Sequence, residues 1–193
     1  MSRPKAFDPD TVLHHAMQIF WERGYEATSV QDLVDGMGIN RFSLYSTFGG
    51  KHQLFMAALE RYRLTVVDRL ISTLEQSDEG LAAIQQFFMR LVEAFAAPAG
   101  QRGCLLTNTA VECAPHDPQA ASQVHSHVAR LEAAFAYVLQ QAQRQGTCST
   151  RHTCDDLARF LAGSALGLGV LAKTAPGRPA LEGYVAVVLS ALA

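Results

Sequence analysis

Hydrophobic residues recur every three or four positions along most of this chain, which is the spacing of one face of an α-helix. In the first such segment they are Val12, Leu13, Ala16, Met17 and Phe20. Asp8 and Pro9 form a helix start, with Asp as the N-cap and Pro in the first turn, and Gly24 is a fitting end. No alternating run typical of a β-strand stands out, so the pattern predicts an all-α fold.

Two short helices are predicted after the first one. Thr28 and Gln31 have the spacing of a capping box, which predicts the start of a second helix that ends near Gly38. Asn40 is a suitable N-cap for a third helix, which ends before Gly49. Two such helices joined by a turn that contains glycine form the pattern of a helix-turn-helix.

The remainder of the chain is also helical in its periodicity. The predicted helices cover 51–75, 78–97, 104–113, 118–145, 155–173 and 184–192. Asp117 and Pro118 repeat the helix start found at Asp8. The pattern therefore predicts a three-helix unit at 1–50, followed by a larger helical unit of about six helices at 51–193.

The third predicted helix has little to bury and much to expose. Its surface-type residues are Arg41, Phe42, Ser43, Tyr45, Ser46 and Thr47. Its angle to the second helix is expected to be fixed by Leu33, Met37, Ile39 and Leu44. In a helix-turn-helix protein the recognition helix lies in the major groove, with its N-terminal residues facing base edges. A helix that buries little of itself within the chain can bury its outer face in DNA.

Charge does not by itself indicate a polyanionic partner. The chain of 193 residues has a net charge of −2, and 49% of its residues are hydrophobic, which predicts a sizeable core. Five basic and six acidic side chains precede position 52, so a prediction of DNA binding rests on pattern. There is no signal-peptide pattern at the N-terminus, and the apolar run 161–172 is too short to cross a bilayer. We therefore expect a cytoplasmic protein.

Residues 9–55 resemble the DNA-binding domain of the TetR family of transcriptional regulators. The matching residues are Phe20, Gly24, Thr28, Ser29, Leu33, Gly38, Leu44, Tyr45, Phe48, Lys51 and Leu54. The Leu44-Tyr45 pair, with Phe48 three residues later and Lys51 three beyond that, is the specific part of this signature. The resemblance implies a regulator, commonly a repressor, that binds operator DNA through residues 1–50 and binds its ligand and its partner subunit through 51–193.

The resemblance also implies roles for individual residues. Arg41, Phe42 and Ser43 occupy base-reading positions, where Arg41 could pair with a guanine edge and Phe42 could touch a thymine methyl group. The positions that match phosphate contacts are Thr28, Ser29, Tyr45, Thr47 and Lys51, next to the cap Asn40. Arg3 and Lys5 form a small basic arm that could reach a neighbouring groove. Phe42 stands where a small residue is usual, which leaves its target open.

The two C-terminal helices suggest a seam between two copies of the chain. Gly163 and Gly167 lie four residues apart, so another helix could approach closely. The segment 184–193, which contains Tyr184 and Val188, is almost wholly apolar. An apolar patch of this kind indicates a partner. The family resemblance implies the same, since these helices form a four-helix bundle with their mates; ordinary packing within the chain is the alternative.

The middle of the chain is rich in aromatic residues, and in the family this region encloses a ligand cavity. Its occupant is expected to bind the form that has released DNA more tightly. Asn108 is a polar residue in an apolar helix and a candidate ligand contact, and helix capping or a bond to the backbone is the alternative. Cys104 lies beside Arg102 at a predicted helix N-terminus, a setting that favours a reactive thiolate. The segment 102–112 is similar to one in family branches that sense electrophiles, so Cys104 is either a sensor or a small buried residue.

No cofactor or metal is predicted. His152 lies between Cys148 and Cys154, but the spacing is not that of a zinc site. His125 and His127 are two residues apart and point to different faces of a helix. In a cytoplasmic protein the four cysteines are expected to be thiols, although a redox pair of Cys148 and Cys154 stays open.

Two other classes of function were compared with the regulator. An enzyme is not favoured, because the sequence has no phosphate-cradling loop at Lys51 and no G-x-S-x-G or H-E-x-x-H motif. A helical ligand-binding or scaffolding protein without DNA-binding activity is the second alternative. Salt-dependent, sequence-specific DNA binding would separate both from a regulator.

Overall fold

The computed structural model describes residues 7–76 and 79–192, and these residues fold as helices and connecting loops, which confirms the all-α prediction. The α-helices are α1 (Pro9–Arg23), α2 (Val30–Met37), α3 (Arg41–Phe48), α4 (Lys51–Tyr62), α5 (Asp68–Glu75), α6 (Leu81–Ala96), α7 (Leu105–Glu112), α8 (Pro118–Arg144), α9 (Cys154–Ala172) and α10 (Arg178–Ser190). A π-helical segment, Arg63–Val67, joins α4 to α5, and the 3₁₀ turn Pro98–Arg102 precedes α7.

Three of the predicted helix starts are confirmed by their side-chain hydrogen bonds. Asp8 accepts from the backbone N–H of Thr11 at 3.0 Å, and Asp117 accepts from Gln119 at 2.9 Å. Asn40 Oδ1 accepts from the N–H of Ser43 at 2.8 Å. Each bond satisfies a backbone donor that has no partner inside the first helical turn.

The capping box of α2 lies one residue later than the sequence analysis predicted. Ser29 is the N-cap, and its hydroxyl accepts from the N–H of Asp32 while the Asp32 carboxylate accepts from the N–H of Ser29. Hydrogen bonds from Ser29 hold the pKa of Asp32 below its usual value. Thr28, the predicted cap, instead donates its hydroxyl to the carbonyl of Gly24 at 2.6 Å.

The N-terminal unit is a small core in which α1 packs against α4. The Phe20 and Phe55 rings are both buried and meet edge to face, with centroids 5.0 Å apart. Tyr25 also packs against Phe55, with the ring centroids 4.7 Å apart. Burying one such ring contributes about 1.5–3 kcal/mol, so this aromatic cluster fixes α1 onto α4.

The predicted long helix over 51–75 is continuous but not uniform. In its middle, the N–H of Asp68 reaches back to the carbonyl of Arg63, which gives the wider π-helical turn. The Asp68 carboxylate pairs with Arg63 and with Arg130 of α8. This helix therefore continues from the N-terminal unit into the rest of the chain through the π segment.

The larger unit is organised around α8. Phe135 of α8 meets Phe87 edge to face at 5.1 Å and stacks on Phe88 of α6 at 5.9 Å. All three rings are fully or almost fully buried. Together with α5, α6 and α9, α8 encloses the core of this unit.

Two predicted helix starts in this unit were wrong. α10 begins at Arg178, ahead of the predicted start at 184, because Pro179 lies in the first turn, where its missing N–H costs nothing. α6 begins at Leu81 rather than 78, and residue 78 itself lies outside the described residues, as do Arg3 and Lys5 of the proposed arm. Within 7–76 and 79–192, no helix has the length and hydropathy that a membrane span requires.

Candidate functional site

The α2–α3 pair has the geometry of a helix-turn-helix. Gly38 ends α2 in the left-handed conformation, with φ of +66°, which glycine adopts without a steric penalty. Leu33 and Leu44 are fully buried between the helices, and Met37 is 5% exposed. These three side chains fix the angle between α2 and α3, as the sequence predicted.

The outer face of α3 is the most exposed apolar surface of the N-terminal unit. Leu44 is the buried residue of this helix. Phe42 is 81% exposed and Tyr45 is 49% exposed, and Arg41 lies beside them on the surface. An aromatic ring that the chain itself leaves uncovered indicates a partner surface.

Most of the predicted DNA-contacting residues are brought together. Arg41, Phe42, Ser43, Tyr45 and Thr47 all lie on α3, and Asn40 caps its start. Ser29 is exposed at the start of α2, where its hydroxyl is already engaged in the capping box.

Thr28 has to be removed from this set. Its side chain is fully buried, its hydroxyl is bonded to Gly24, and its backbone N–H donates to the carbonyl of Tyr25. A side chain held in this way fixes the α1–α2 turn and presents no group to a phosphate.

Lys51 stands at the start of α4, next to the end of α3. Its Nζ lies 4.2 Å from the centre of the Tyr25 ring, a cation–π contact that holds the ammonium group near the surface. No side chain caps the start of α4. The N-terminus of α4 therefore combines unpaired backbone N–H groups with a positioned cation, which is a suitable arrangement for a phosphate.

Comparison with protein families identifies the family of the chain that carries this surface. Residues 12–58 match the model described as "Bacterial regulatory proteins, tetR family", and residues 80–185 match "Tetracyclin repressor-like, C-terminal domain". The chain belongs to the TetR family. The two matches cover both the helix-turn-helix unit and most of the larger helical unit of this TetR-family chain.

Relatives of the TetR-family chain extend over its whole length. It is 38% identical to the uncharacterized HTH-type transcriptional regulator YezE of Bacillus subtilis strain 168 over 193 residues, which is 100% of both chains. It is 31% identical to the HTH-type transcriptional repressor ComR of Escherichia coli K12, covering 89% of this chain and 82% of ComR.

A solved complex with DNA has the same architecture. A cysteine mutant of the TetR family transcriptional regulator CifR, bound to 26-bp double-strand operator DNA, superimposes with a TM-score of 0.88 at 29% identity and covers 100% of both chains. The TetR-family chain is thus a DNA-binding transcriptional regulator and not an enzyme, and the scaffolding alternative has no support.

The larger unit of this regulator encloses a cavity of about 250 Å³. Most of its wall is apolar, with Phe87, Leu91 and Phe95 on one side and Leu131 on another. Cys104 is half-buried and lies in this wall, so the structure brings one of the two predicted sensing residues to the cavity.

Asn108, the other predicted ligand contact, is not part of the cavity wall. Its Nδ2 donates to the carbonyl of Arg102 at 2.9 Å, and its Oδ1 accepts from Lys173 Nζ at 3.0 Å. Asn108 therefore ties the start of α7 to the end of α9. The alternative of a backbone bond agrees with the contact to Arg102, and spacing along α7 could not show that both ends of this amide are already bonded.

Three polar residues of the wall are shielded from water. Thr107 is 6% exposed and His127 is 7% exposed. Burial lowers the pKa of His127 to about 4, so its ring is neutral near pH 7. Burial, with a smaller effect of the Cys104 thiol, raises the pKa of Tyr62 well above its usual value.

The cavity wall is also in direct contact with the DNA-binding unit. Trp21 of α1 lines the cavity and donates its Nε1–H to the carbonyl of Gly103 at 2.9 Å. The Arg102 guanidinium lies 4.1 Å from the centre of the Trp21 ring and donates to Gln18 Oε1 at 2.6 Å. A change in the position of 102–104 would therefore act directly on α1.

Glu112, at the end of α7, makes a second connection. Its carboxylate accepts from the backbone N–H of Tyr25 at 3.1 Å and of Glu26 at 2.9 Å. Gly24 has φ of +84°, and a Cβ atom there would lie 2.8 Å from Glu112 Oε2. The backbone conformation thus favours glycine, and a Cβ atom would also have to displace this carboxylate from its place.

Replacing Glu112 with alanine is expected to lower the free energy of unfolding by about 1–3 kcal/mol, because two backbone donors lose a charged acceptor. Gly24→Ala should cost less in the Glu112→Ala background than in the natural chain, since the clash with Oε2 is then absent. Urea unfolding of both single variants and the double variant measures this coupling.

Gly38→Ala is the matched control for this cycle. Its φ is +66°, and a Cβ atom there would have no neighbour within 4 Å, so its cost should be the same with and without Glu112. An equal cost of Gly24→Ala in the two backgrounds would show that Glu112 does not press on Gly24.

The exposed sides of α9 and α10 form an apolar surface that we call the seam. Phe160 is 46% exposed and Val170 is 48% exposed on α9, and Val187 of α10 is 71% exposed. Gly163 lies on the same side of α9 with open space in front of its Cα. A helix from a partner can approach this side closely.

The other predicted seam residues differ in their surroundings. A Cβ atom at Gly167 would lie 3.1 Å from the Tyr184 hydroxyl, so these two residues set the approach of α10 to α9 within one chain. Val188 is 3% exposed and is packed in the core of the same chain. Val188 therefore lies behind the seam, whereas its neighbour Val187 faces outward.

The cysteines and histidines do not form a metal site within the residues that the structure describes. All four cysteines are free thiols, and Cys154 Sγ donates to Gln143 Oε1 at 2.9 Å. Sequence reasoning missed Trp21, Thr107, His127 and Glu112. Their roles depend on contacts between segments far apart in the chain, for which the local pattern carries no signal.

Proposed function

We propose that this TetR-family regulator is a homodimeric repressor that binds a roughly palindromic operator through α3 and releases it when a small molecule occupies the cavity. The observation that carries the proposal is the exposed outer face of α3, where Phe42 is 81% exposed beside Arg41 and Tyr45. The operator complex of CifR, which has the same architecture, supports DNA as the partner of this face.

We assign the residues of this face to two tasks. Arg41, Phe42 and Ser43 lie at the N-terminal end of α3 and read base edges, since that end of a recognition helix enters the major groove. Tyr45, Thr47 and Lys51 lie further along and hold phosphates, which sets the register of the protein on the duplex. Asn40 and Ser29, as exposed N-caps, orient the first turns of α3 and α2.

The proposal is tested by footprinting the purified protein on the DNA that flanks its own coding region. We expect a symmetric protected site with two half-sites about one helical turn or a multiple apart, and an affinity that falls as salt is raised. Binding that ignores sequence, or no binding to any fragment at low salt, would contradict it.

The pairing of two chains is proposed from the seam. Exposed apolar side chains, with glycine between them on α9, make a surface that a second copy can cover by two-fold symmetry. We also propose that residues 1–50 are the DNA-binding domain and 51–193 the regulatory domain. α4 belongs to both in its packing, because Phe55 completes the core around Phe20.

Release of DNA is proposed to start at the segment 102–104. This segment forms part of the cavity wall and is bonded to Trp21 and Gln18 of α1. An occupant that fits the cavity only when this segment moves would favour the form in which α1 has turned with it. The required condition is a higher affinity of the occupant for the DNA-free form.

An electrophile that enters the cavity is expected to react at Cys104. With N-ethylmaleimide, the thiolate sulfur would bond to one alkene carbon while the other takes up a proton, and the added group would displace the neighbouring 102–104 wall. We expect alkylation to weaken operator binding at least tenfold in the natural chain and to leave the Cys104→Ser variant unaffected. Mass spectrometry and fluorescence anisotropy on the same samples measure both effects.

Cys154→Ser is the matched control, because Cys154 is also half-buried but lies outside the cavity wall. That variant should lose operator binding on alkylation as the natural chain does. If the Cys104→Ser variant is still released by N-ethylmaleimide, Cys104 is a structural residue and the sensor proposal is wrong.

A further inference from the structure

Two buried polar atoms in the cavity wall have no hydrogen-bond partner within the described residues. They are Thr107 Oγ1 on α7 and His127 Nδ1 on α8. Both residues line the cavity, and both are more than nine-tenths buried. A buried polar atom without a partner destabilises the folded chain, so a pair of them in one apolar cavity points to a ligand that supplies the missing bonds.

Burial is the main reason that the His127 ring is neutral. Burial lowers the pKa of His127 most strongly, Asp68 raises it, and Arg130 and Arg63 lower it further. Asp68 is itself paired with both arginines. The ring therefore faces the cavity as a neutral group, able to donate or accept at Nδ1 depending on its tautomer.

The other polar groups of the wall are already occupied. Tyr62 is hydrogen-bonded to Cys104 and to the backbone of Leu105. Arg102 donates to Gln18 and to the carbonyl of Ala99, and its guanidinium stacks on Trp21. Arg90 is exposed at the rim. The interior thus offers two neutral hydrogen-bonding atoms in an apolar wall, and no cation is aimed at them.

The size of the cavity limits its occupant. A cavity of roughly 150 Å³ with an apolar lining binds benzene. At about 250 Å³ this cavity suits a single ring with one or two small substituents, or an aliphatic molecule of similar bulk.

We propose that the cavity binds a compact, uncharged, mostly apolar molecule that carries one hydroxyl group, and that this hydroxyl bonds to His127 Nδ1 and Thr107 Oγ1. A hydroxyl both donates and accepts, so it can pair with either tautomer of the ring and with the threonine. This inference rests on the proposed function only where it treats the bound molecule as the effector that releases DNA. Binding of the molecule to the cavity can be tested without DNA.

The test uses two probes of the same shape, 4-ethylphenol and 4-ethyltoluene, which differ by a hydroxyl in place of a methyl group. Isothermal titration on the DNA-free protein should give at least tenfold tighter binding of the phenol. In His127→Leu and in Thr107→Val this preference should fall to threefold or less. His125→Leu, on the exposed side of the same helix, should leave it unchanged.

A second measurement keeps the test decisive if a variant binds neither probe. Without ligand, His127→Leu and Thr107→Val should unfold at the same temperature as the natural chain or a higher one, because each removes an unpaired buried polar atom. A lower unfolding temperature for both would mean that these atoms are already bonded and would overturn the inference.

The remaining outcomes are also distinct. Equal affinity for the two probes in the natural chain, or tighter binding of 4-ethylbenzoate through Arg90, would overturn the proposed ligand class. If 4-ethylphenol binds with the expected preference but leaves the operator complex intact, the ligand class stands, and the proposed release of DNA from this cavity is wrong.

Discussion

Replacing Arg41 with alanine is expected to weaken binding to a symmetric operator by roughly 30-fold to 10⁴-fold. A bidentate contact between arginine and guanine contributes about 1–3 kcal/mol of discrimination, and a homodimer loses two of them, hence about 2–6 kcal/mol. Arg41 is exposed and makes no hydrogen bond or ion pair in the structure of residues 7–76 and 79–192, so the folded state should lose little. Fluorescence anisotropy at a fixed salt concentration measures the change.

Two further variants make this result interpretable. Arg69→Ala removes one exposed arginine from α5, far from α3 along the chain, and should change operator affinity only slightly. Arg41→Lys keeps the charge but loses the fork-shaped guanidinium, so it should retain non-specific binding while losing preference for the operator. If Arg41→Ala and Tyr45→Ala both fold and bind every promoter fragment as the natural chain does, α3 is not the recognition helix.

Replacing Val187 with glutamate is expected to convert the dimer to a monomer and to reduce operator affinity by at least about 10³-fold. Two symmetry-related carboxylates would be buried in the seam without partners, and an unpaired buried charge costs several kcal/mol. A monomer holds a single half-site, so it also loses the gain in affinity from linked binding. Sedimentation equilibrium and anisotropy on the same preparation measure the two effects.

Val111→Glu is the matched control for the seam. Val111 of α7 is 74% exposed, close to the 71% of Val187, so the same substitution is made on a surface of similar exposure outside the seam. It should leave the oligomeric state unchanged. A dimer that survives Val187→Glu would place the interface elsewhere, and a monomeric natural chain would contradict the proposed pairing altogether.

Local chemistry made much of the fold predictable. Asp8, Asn40 and Asp117 start helices because a short polar side chain satisfies the donors of the first turn, and this depends only on neighbouring residues. The same reasoning placed the N-cap of α2 one residue too early, at Thr28. Both Thr28 and Ser29 can cap a helix, and the packing of α1 selects between them. Pro179 was interpreted as part of a loop although proline is equally suited to a first helical turn.

The candidate DNA surface could be predicted for the same reason. Arg41, Phe42 and Tyr45 share one exposed side of a short helix, and helical spacing alone places them together. The cavity could not be predicted in this way. Thr107 and His127 line the same cavity from two different helices. Asn108 instead bonds to Arg102 and Lys173. Both arrangements depend on how α7 packs against α8 and α9.

The π-helical segment Arg63–Val67 is a place where the chain can lose a residue during evolution without losing its fold. A π turn holds one more residue than an α turn, so the loss of one residue there would close ordinary turns and leave both flanking helices facing as before. The same loss inside α4 would rotate everything beyond it by about 100° around the helix axis. The loss of one residue is therefore tolerable at the π turn, where Val66 and Val67 line the cavity. The same loss a few residues earlier, inside α4, would disrupt the packing of the fold.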